Sequence, residues 1–171
     1  MLALINFFVE LCLLRRAPQD LPASQSLFGL LVVVNLILGL LAGLTVDGGF
    51  GRSLLQSVAD VVLTLGVFYA GFKLIGREAR FAQTATALLG SGAVLGVLGL
   101  LPLTMLSGGE ESAGSAIAGL LFLGLLIWNL VVMGHILRHA LEMTLGQAMV
   151  IAVGFYLFAY TLLGGLFATP A

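Results

Sequence analysis

The sequence predicts an all-α integral membrane protein, with five transmembrane helices and, ahead of them, an amphipathic helix lying in the membrane interface. Three observations carry that reading. Of 171 residues, 60% are hydrophobic and only 9% charged, against roughly 25% charge and 45–50% apolar content in a soluble domain. A water-soluble fold this small cannot hide so much apolar surface, because a folded domain still exposes much of its chain. The apolar residues also fall into five runs, each near the about 20 residues needed to cross a hydrocarbon core of about 30 Å. Finally, the runs are long and lack strict alternation, which indicates helices rather than barrel strands.

The chain divides into residues 1–23, an interfacial helix and a Pro-containing connector, and residues 24–171, the transmembrane bundle. Residues 1–16 are apolar but too short to span, and Asn6 and Glu10 stand four apart on one helical stripe. Arg15 and Arg16 end this segment, and Pro18 and Pro22 stop it. Ser24 is an N-cap for the first span. The spans are expected at residues 24–45, 54–75, 84–106, 116–137 and 147–167. Polar breaks separate the first four, at 47–52, 76–80 and 107–112. The fourth break, 138–143, lacks Gly and Pro, so a continued helix is an alternative there. The start has no basic region or cleavage site of a signal peptide. The end, Thr169-Pro170-Ala171, carries no lipidation box.

Charge sets the expected orientation. Of the seven Lys and Arg residues, Arg15, Arg16, Lys73, Arg77, Arg80 and Arg138 fall on one side of a five-span chain, and Arg52 alone on the other. The positive-inside rule then puts the N-terminus in the cytoplasm and the C-terminus outside, in the periplasm if the membrane is a bacterial inner membrane. Glu110 and Glu111 fall on the outer side. Net charge is −1, so no basic field for nucleic acid exists.

Glycine is abundant, at 23 residues. In a soluble helix this destabilises; in lipid it lets helices approach closely. Gly39 with Gly43, and Gly92 with Gly96, are the small-residue pairs expected at helix contacts. Asp60 is the sharpest polar feature, because an acid inside a span usually faces the bundle interior or water. Gln56 and Thr64 share its face at four residues either side. Two functional readings follow, a proton or cation relay or a polar lock onto a partner subunit. A helix set one turn differently instead leaves Asp60 near the interface. Asn35 and Asn129 are mid-span amides suited to hydrogen bonds across helices. Arg77 and Arg80, with Lys73, form a cytoplasmic charged turn that serves as a topology signal or contacts anionic lipid or an acidic partner. His135 and His139, with Glu142 beyond, lie near one face and offer a metal two or three ligands; the alternative is interfacial residues at a helix C-terminus. Cys12 reads as a small apolar residue, with acylation as the alternative.

The stretch from the end of the second span into the third resembles the bacterial members of the YIP (Ypt-interacting-protein domain) family. The residues that carry the resemblance are Gly76 and its short polar turn, then Phe81, Gln83, Thr84, Gly90 and Pro102. A second region runs from Trp128 through His135 to Gly146, Gln147 and Ala148. The resemblance implies five spans, a cytoplasmic N-terminus and an exposed C-terminus. The long polar N-terminal arm of many members is replaced here by the interfacial helix. Eukaryotic relatives are linked to small GTPases and vesicle traffic, and the family brings no catalytic residues.

The chain has no phosphate-binding loop, serine elbow or zincin motif, and its loops are too short for a soluble catalytic domain. The function expected is therefore non-enzymatic and free of cofactors. The chain reads as a scaffold or accessory subunit that binds another membrane protein or a second copy, or that organises the bilayer. The alternative is a small transporter or channel subunit using Asp60. A third reading is a metal-dependent membrane enzyme at His135 and His139.

Overall fold

A computed structural model describes residues 2–22, 24–46, 49–108 and 113–167. Every regular element among them is helical. The helices are α1 (Leu2–Cys12), α2 (Gln25–Val46), α3 (Phe50–Leu74), α4 (Phe81–Ser107), α5 (Ala113–Leu141) and α6 (Leu145–Leu166), with short 3-10 turns at Pro18–Asp20 and Glu78–Arg80. Five of them, α2 to α6, are long and apolar enough to cross a membrane. Asp47, Gly48, Glu110, Glu111 and the last four residues, which entered the expected loops and terminus, lie outside the described residues.

Each helix end has a local cause. After α3 the chain reverses at Gly76, whose φ is +72°. Gly76 N–H donates to the Lys73 carbonyl at 3.1 Å, and Arg77 N–H to the Phe72 carbonyl at 2.8 Å. Glycine takes this left-handed position without steric cost. The α5–α6 break departs from the continued helix weighed for residues 138–143. The helix ends at Leu141 and the chain turns at Glu142, with φ +54°. A non-glycine residue there costs about 1–2 kcal/mol. Glu142 is nonetheless suited to the position, because its carboxylate bonds Arg77 at 3.0 Å and Arg80 at 2.6 Å. Two residues on, Thr144 caps α6 in a reciprocal box with Gln147. The turn falls within the expected 138–143 break; propensity left a continued helix open there, because the residues that stabilise the turn come from the α3–α4 connection.

The spanning helices follow one another around the bundle as α3, α2, α4, α5 and α6, with α6 touching α3 again. Apolar side chains have no reason to leave lipid, so close fit rather than burial holds such helices together. Gly39 and Gly43 let α2 lie against α3: a Cβ on Gly39 would stand 2.6 Å from Ser57 Oγ, and one on Gly43 would stand 2.7 Å from Ser53 Cβ. Gly134 plays the same part between α5 and α6, against the Met149 side chain. Gly92 and Gly96 sit at looser contacts, 3.4 Å from Asn35 Oδ1 and 3.5 Å from a Leu38 methyl.

Packing is uneven along the bundle. In α4 every residue from Thr84 to Ser91 is buried, and in α5 every residue from Val132 to Leu137. This is the end that carries the Arg77–Glu142–Arg80 cluster, and it is called the basic end below. A helix buried on all sides needs neighbours on all sides, and α1 supplies one. Phe8, Leu11 and Cys12 are buried, and the Phe8 ring fills the space a Cβ on Gly90 would need. Gly90 is nine residues into α4, about 14 Å along it. The short helix expected in the membrane interface packs against α4 and α5. Toward the other end α4 turns outward, with Val97, Leu98 and Leu101 exposed.

Candidate functional site

A cavity of about 760 Å³ lies inside the half of the bundle away from the basic end. Its lining includes Asp60, Gln56, Thr64, Asn35 and Asn129. These five come from α2, α3 and α5; Gln56, Asp60 and Thr64 already shared one face in the sequence, and the structure brings Asn35 and Asn129 to the same space. Their heights explain why. Asn35 is ten residues, about 15 Å, from the start of α2, and Asn129 is twelve residues, about 18 Å, from the end of α5. Asp60 lies ten residues, about 15 Å, into α3, because that helix starts at Phe50 rather than at Leu54. Asp60 therefore lies further into its helix than the expected start of the span at residue 54 gave.

The lining also holds residues that the sequence reading missed: Ser57, Ser91, Tyr156 and Tyr160. Tyr156 lies within electrostatic reach of Asp60. A signal was available, since the two tyrosines stand four apart and so share a face of α6. The cavity's floor is the packed half of the bundle, where Leu88, Leu89, Met133 and Phe155 line it. There Phe68 of α3 meets Phe155 of α6 at a ring distance of 4.9 Å. In the other direction the lining reaches Val46, Leu103 and Phe167, at the far ends of α2, α4 and α6. Beside that end, Arg52 donates a hydrogen bond to the Phe167 carbonyl.

The polar groups divide into spent and unspent. Asn35 Nδ2 donates to the carbonyls of Leu31 at 2.8 Å and Leu89 at 2.9 Å, which ties α2 to α4 and leaves Oδ1 as an acceptor. Ser57 Oγ donates to the Leu36 carbonyl at 2.8 Å, tying α3 to α2. Among the described residues nothing hydrogen-bonds or ion-pairs with the side chains of Asp60, Gln56 or Asn129. Asp60 is nonetheless exposed, and it lines this partly open cavity. Unpartnered polar groups inside a protein are costly unless water or a ligand meets them.

The remaining sequence candidates are engaged in holding the basic end. His135 Nε2 lies 2.9 Å from the Arg16 carbonyl, and His139 Nδ1 lies 2.8 Å from the His135 carbonyl. Glu142 is taken by two arginines. No group of three His, Cys, Asp or Glu able to hold a metal occurs among the described residues. Arg80 also donates to the Ala140 carbonyl at 3.2 Å, so Arg77 and Arg80 staple one turn to another, while Lys73 stays exposed. The hydrogen bond from Arg80, with the charges of Arg77 and Arg80 beside it, lowers the Glu142 pKa below its ordinary value. Cys12 is buried, its thiol facing the Ser91 carbonyl at 3.7 Å, and burial pushes its pKa up to about 11.

Fold and site together define a multi-pass α-helical membrane bundle with a partly polar, partly open cavity between its helices. Comparisons with protein-family models, with curated proteins and with solved structures find no match to this chain.

Proposed function

We propose that the protein is a non-enzymatic solute-binding membrane protein, a small transporter or channel subunit, whose solute occupies the cavity at Asp60. One observation carries this reading: the intramembrane acid and four other polar residues, drawn from three helices, line a single cavity with the acid unpartnered. Ionisable groups kept inside a membrane typically face a solute or ion pathway, and small-molecule sites usually lie in cavities of about 300–1,000 Å³. We further propose a bacterial inner-membrane location with the basic end in the cytoplasm, on the strength of the positive charges gathered there. The cavity is then reached from the outside and closed toward the cytoplasm by the packed half of the bundle.

The test is thiol accessibility. Cysteine is introduced at Asn129 or Tyr160 and treated in right-side-out vesicles with a small, membrane-impermeant methanethiosulfonate. The native Cys12 is buried with a raised pKa and stays silent. Modification of both introduced thiols from the outer side supports the reading; protection of both in folded protein overturns it.

A scaffold or accessory subunit is the second reading. Gly66 and Gly71 of α3, with Gly154 and Gly165 of α6, have open space where a Cβ would go, and such positions admit a partner helix closely. The likeness to the YIP family belongs to this reading. Recovery of one defined partner or a homo-oligomer in mild detergent supports it, and a monomer that retains nothing argues against it.

A further inference from the structure

We propose that the cavity takes an organic monocation, an amine or quaternary ammonium group on an apolar body, with Asp60 as its counter-ion. This rests on the solute-site reading above and adds the chemistry of the solute.

Charge is the first argument. Among the described residues Asp60 is the only formally charged one in the lining, which includes no Lys, Arg or His. A carboxylate in a low-dielectric cavity without a protein cation is a strong site for a cation brought by a ligand. The hydrogen-bonding lining leans the same way. Asn35 has spent both amide hydrogens on backbone carbonyls and offers only Oδ1. Ser57 and Ser91 have spent their hydroxyl hydrogens on Leu36 and Ala87 and offer lone pairs. An ammonium group donates to all of these or is attracted by their negative ends. Tyr156 and Phe155 add π faces, which attract cations, quaternary ammonium above all.

Size and polarity then select an organic cation over a bare ion. The cavity measures about 760 Å³, in the range for small organic ligands. A divalent metal needs several oxygens converging at about 2.0–2.6 Å, and the described residues hold no group of three such acidic or metal-ligating side chains. Beyond Asp60 and its few neutral polar neighbours the walls are mostly Leu, Gly and aromatic residues, which suit an apolar body.

The experiment is a binding titration of the full chain in lipid nanodiscs. The probes are benzyltrimethylammonium, benzyl alcohol as its neutral counterpart, and sodium chloride as the bare-ion control. Benzyltrimethylammonium is expected to bind saturably and at least about tenfold more tightly than benzyl alcohol. Asp60→Asn is expected to weaken the ammonium probe by at least about tenfold and benzyl alcohol by much less. Gly99→Leu, whose Cβ meets Phe122 at an ordinary 4.0 Å, fills the cavity and weakens both. Equal affinity for the two probes, or ammonium binding indifferent to Asp60→Asn, overturns the cation assignment, as does the absence of ammonium binding. Displacement of the ammonium by an equal concentration of sodium overturns its organic part. In each case thiol accessibility, which needs no cation, decides separately whether the solute site stands. Should Asp60→Asn not accumulate folded, the comparison of the two probes on the unaltered chain decides alone.

Discussion

At Gly90 the Phe8 ring stands where any side chain would have to go. The site is closed on every side, because Gly90 is buried and the residues before it in α4 are buried too. A substitution there cannot be absorbed by moving a flexible side chain; it must push out the ring and, with it, α1. Gly90→Val is therefore expected to destabilise by about 1–3 kcal/mol, the usual cost of overpacking. The check is the thermal midpoint in detergent. Adding Phe8→Ala should recover part of the loss, since the two residues share one space and their effects will not add. An unchanged midpoint in Gly90→Val would mean that α1 does not pack there. Asn35 is a second residue with one readable duty: it spends its amide hydrogens on carbonyls of α2 and α4 and leaves its oxygen as an acceptor.

Among the elements, α1 and the α5–α6 turn are held by partners distant in sequence. Trp128 Nε1 donates to the Cys12 carbonyl at 3.0 Å, Gln19 Nε2 to the His139 carbonyl at 3.1 Å, and Gln83 Nε2 to the Leu21 carbonyl at 3.1 Å. These bonds satisfy backbone groups where the chain leaves helical geometry inside an apolar bundle, where unmet groups are costly. Trp128→Phe keeps the bulk and removes one donor, so it should cost about 1 kcal/mol, read as a lower midpoint and faster hydrogen exchange over residues 8–12. The turn at Glu142 carries a pH signature. Its folded pKa is lowered, so its contribution is fully present above the unfolded glutamate value of about 4.3. That contribution is lost as pH falls through the lower folded value. The midpoint advantage of the unaltered chain over Glu142→Gln should hold at neutral pH and vanish in strong acid. An advantage that survives acid would show that the ion pairs do not hold the turn.

Over the whole molecule the decisive feature is asymmetry. The basic end is packed, with α1 as an extra wall, and the opposite half holds a partly open cavity with unpartnered polar groups. Local opening follows packing, so amides of α2 and α3 near the cavity's far end should exchange faster than those at Thr84–Ser91 and Val132–Leu137. Mass spectrometry after deuterium labelling in nanodiscs reads this directly. Uniform exchange along the helices would contradict a bundle sealed at one end. The same asymmetry underlies both proposals. A solute in the cavity meets Asp60 without crossing the packed floor, and partner helices have the open glycines of α3 and α6 available.

The number of long helices, their apolar character and the sites of their breaks were legible in the chain, because the length of a span and the polarity of a loop are local properties. So were the positions of the costly residues: Asp60, Asn35 and Asn129 stand out in any apolar run. Gly39 and Gly43 stood out too, though their partners Ser57 and Ser53 did not. What no local pattern contains is which faces meet. Lipid is indifferent to which apolar face it covers, so periodicity does not orient a membrane helix as it orients one in water. Only the tertiary structure brought Asp60, Gln56, Thr64, Asn35 and Asn129 to one cavity, put α1 against Gly90, and turned Glu142 toward two arginines more than sixty residues earlier. The sequence by itself determined that this chain is five apolar helices with a few polar residues placed at depth. The tertiary structure alone decided that those residues face one another, because side chains from separate helices meet only through close fit between faces.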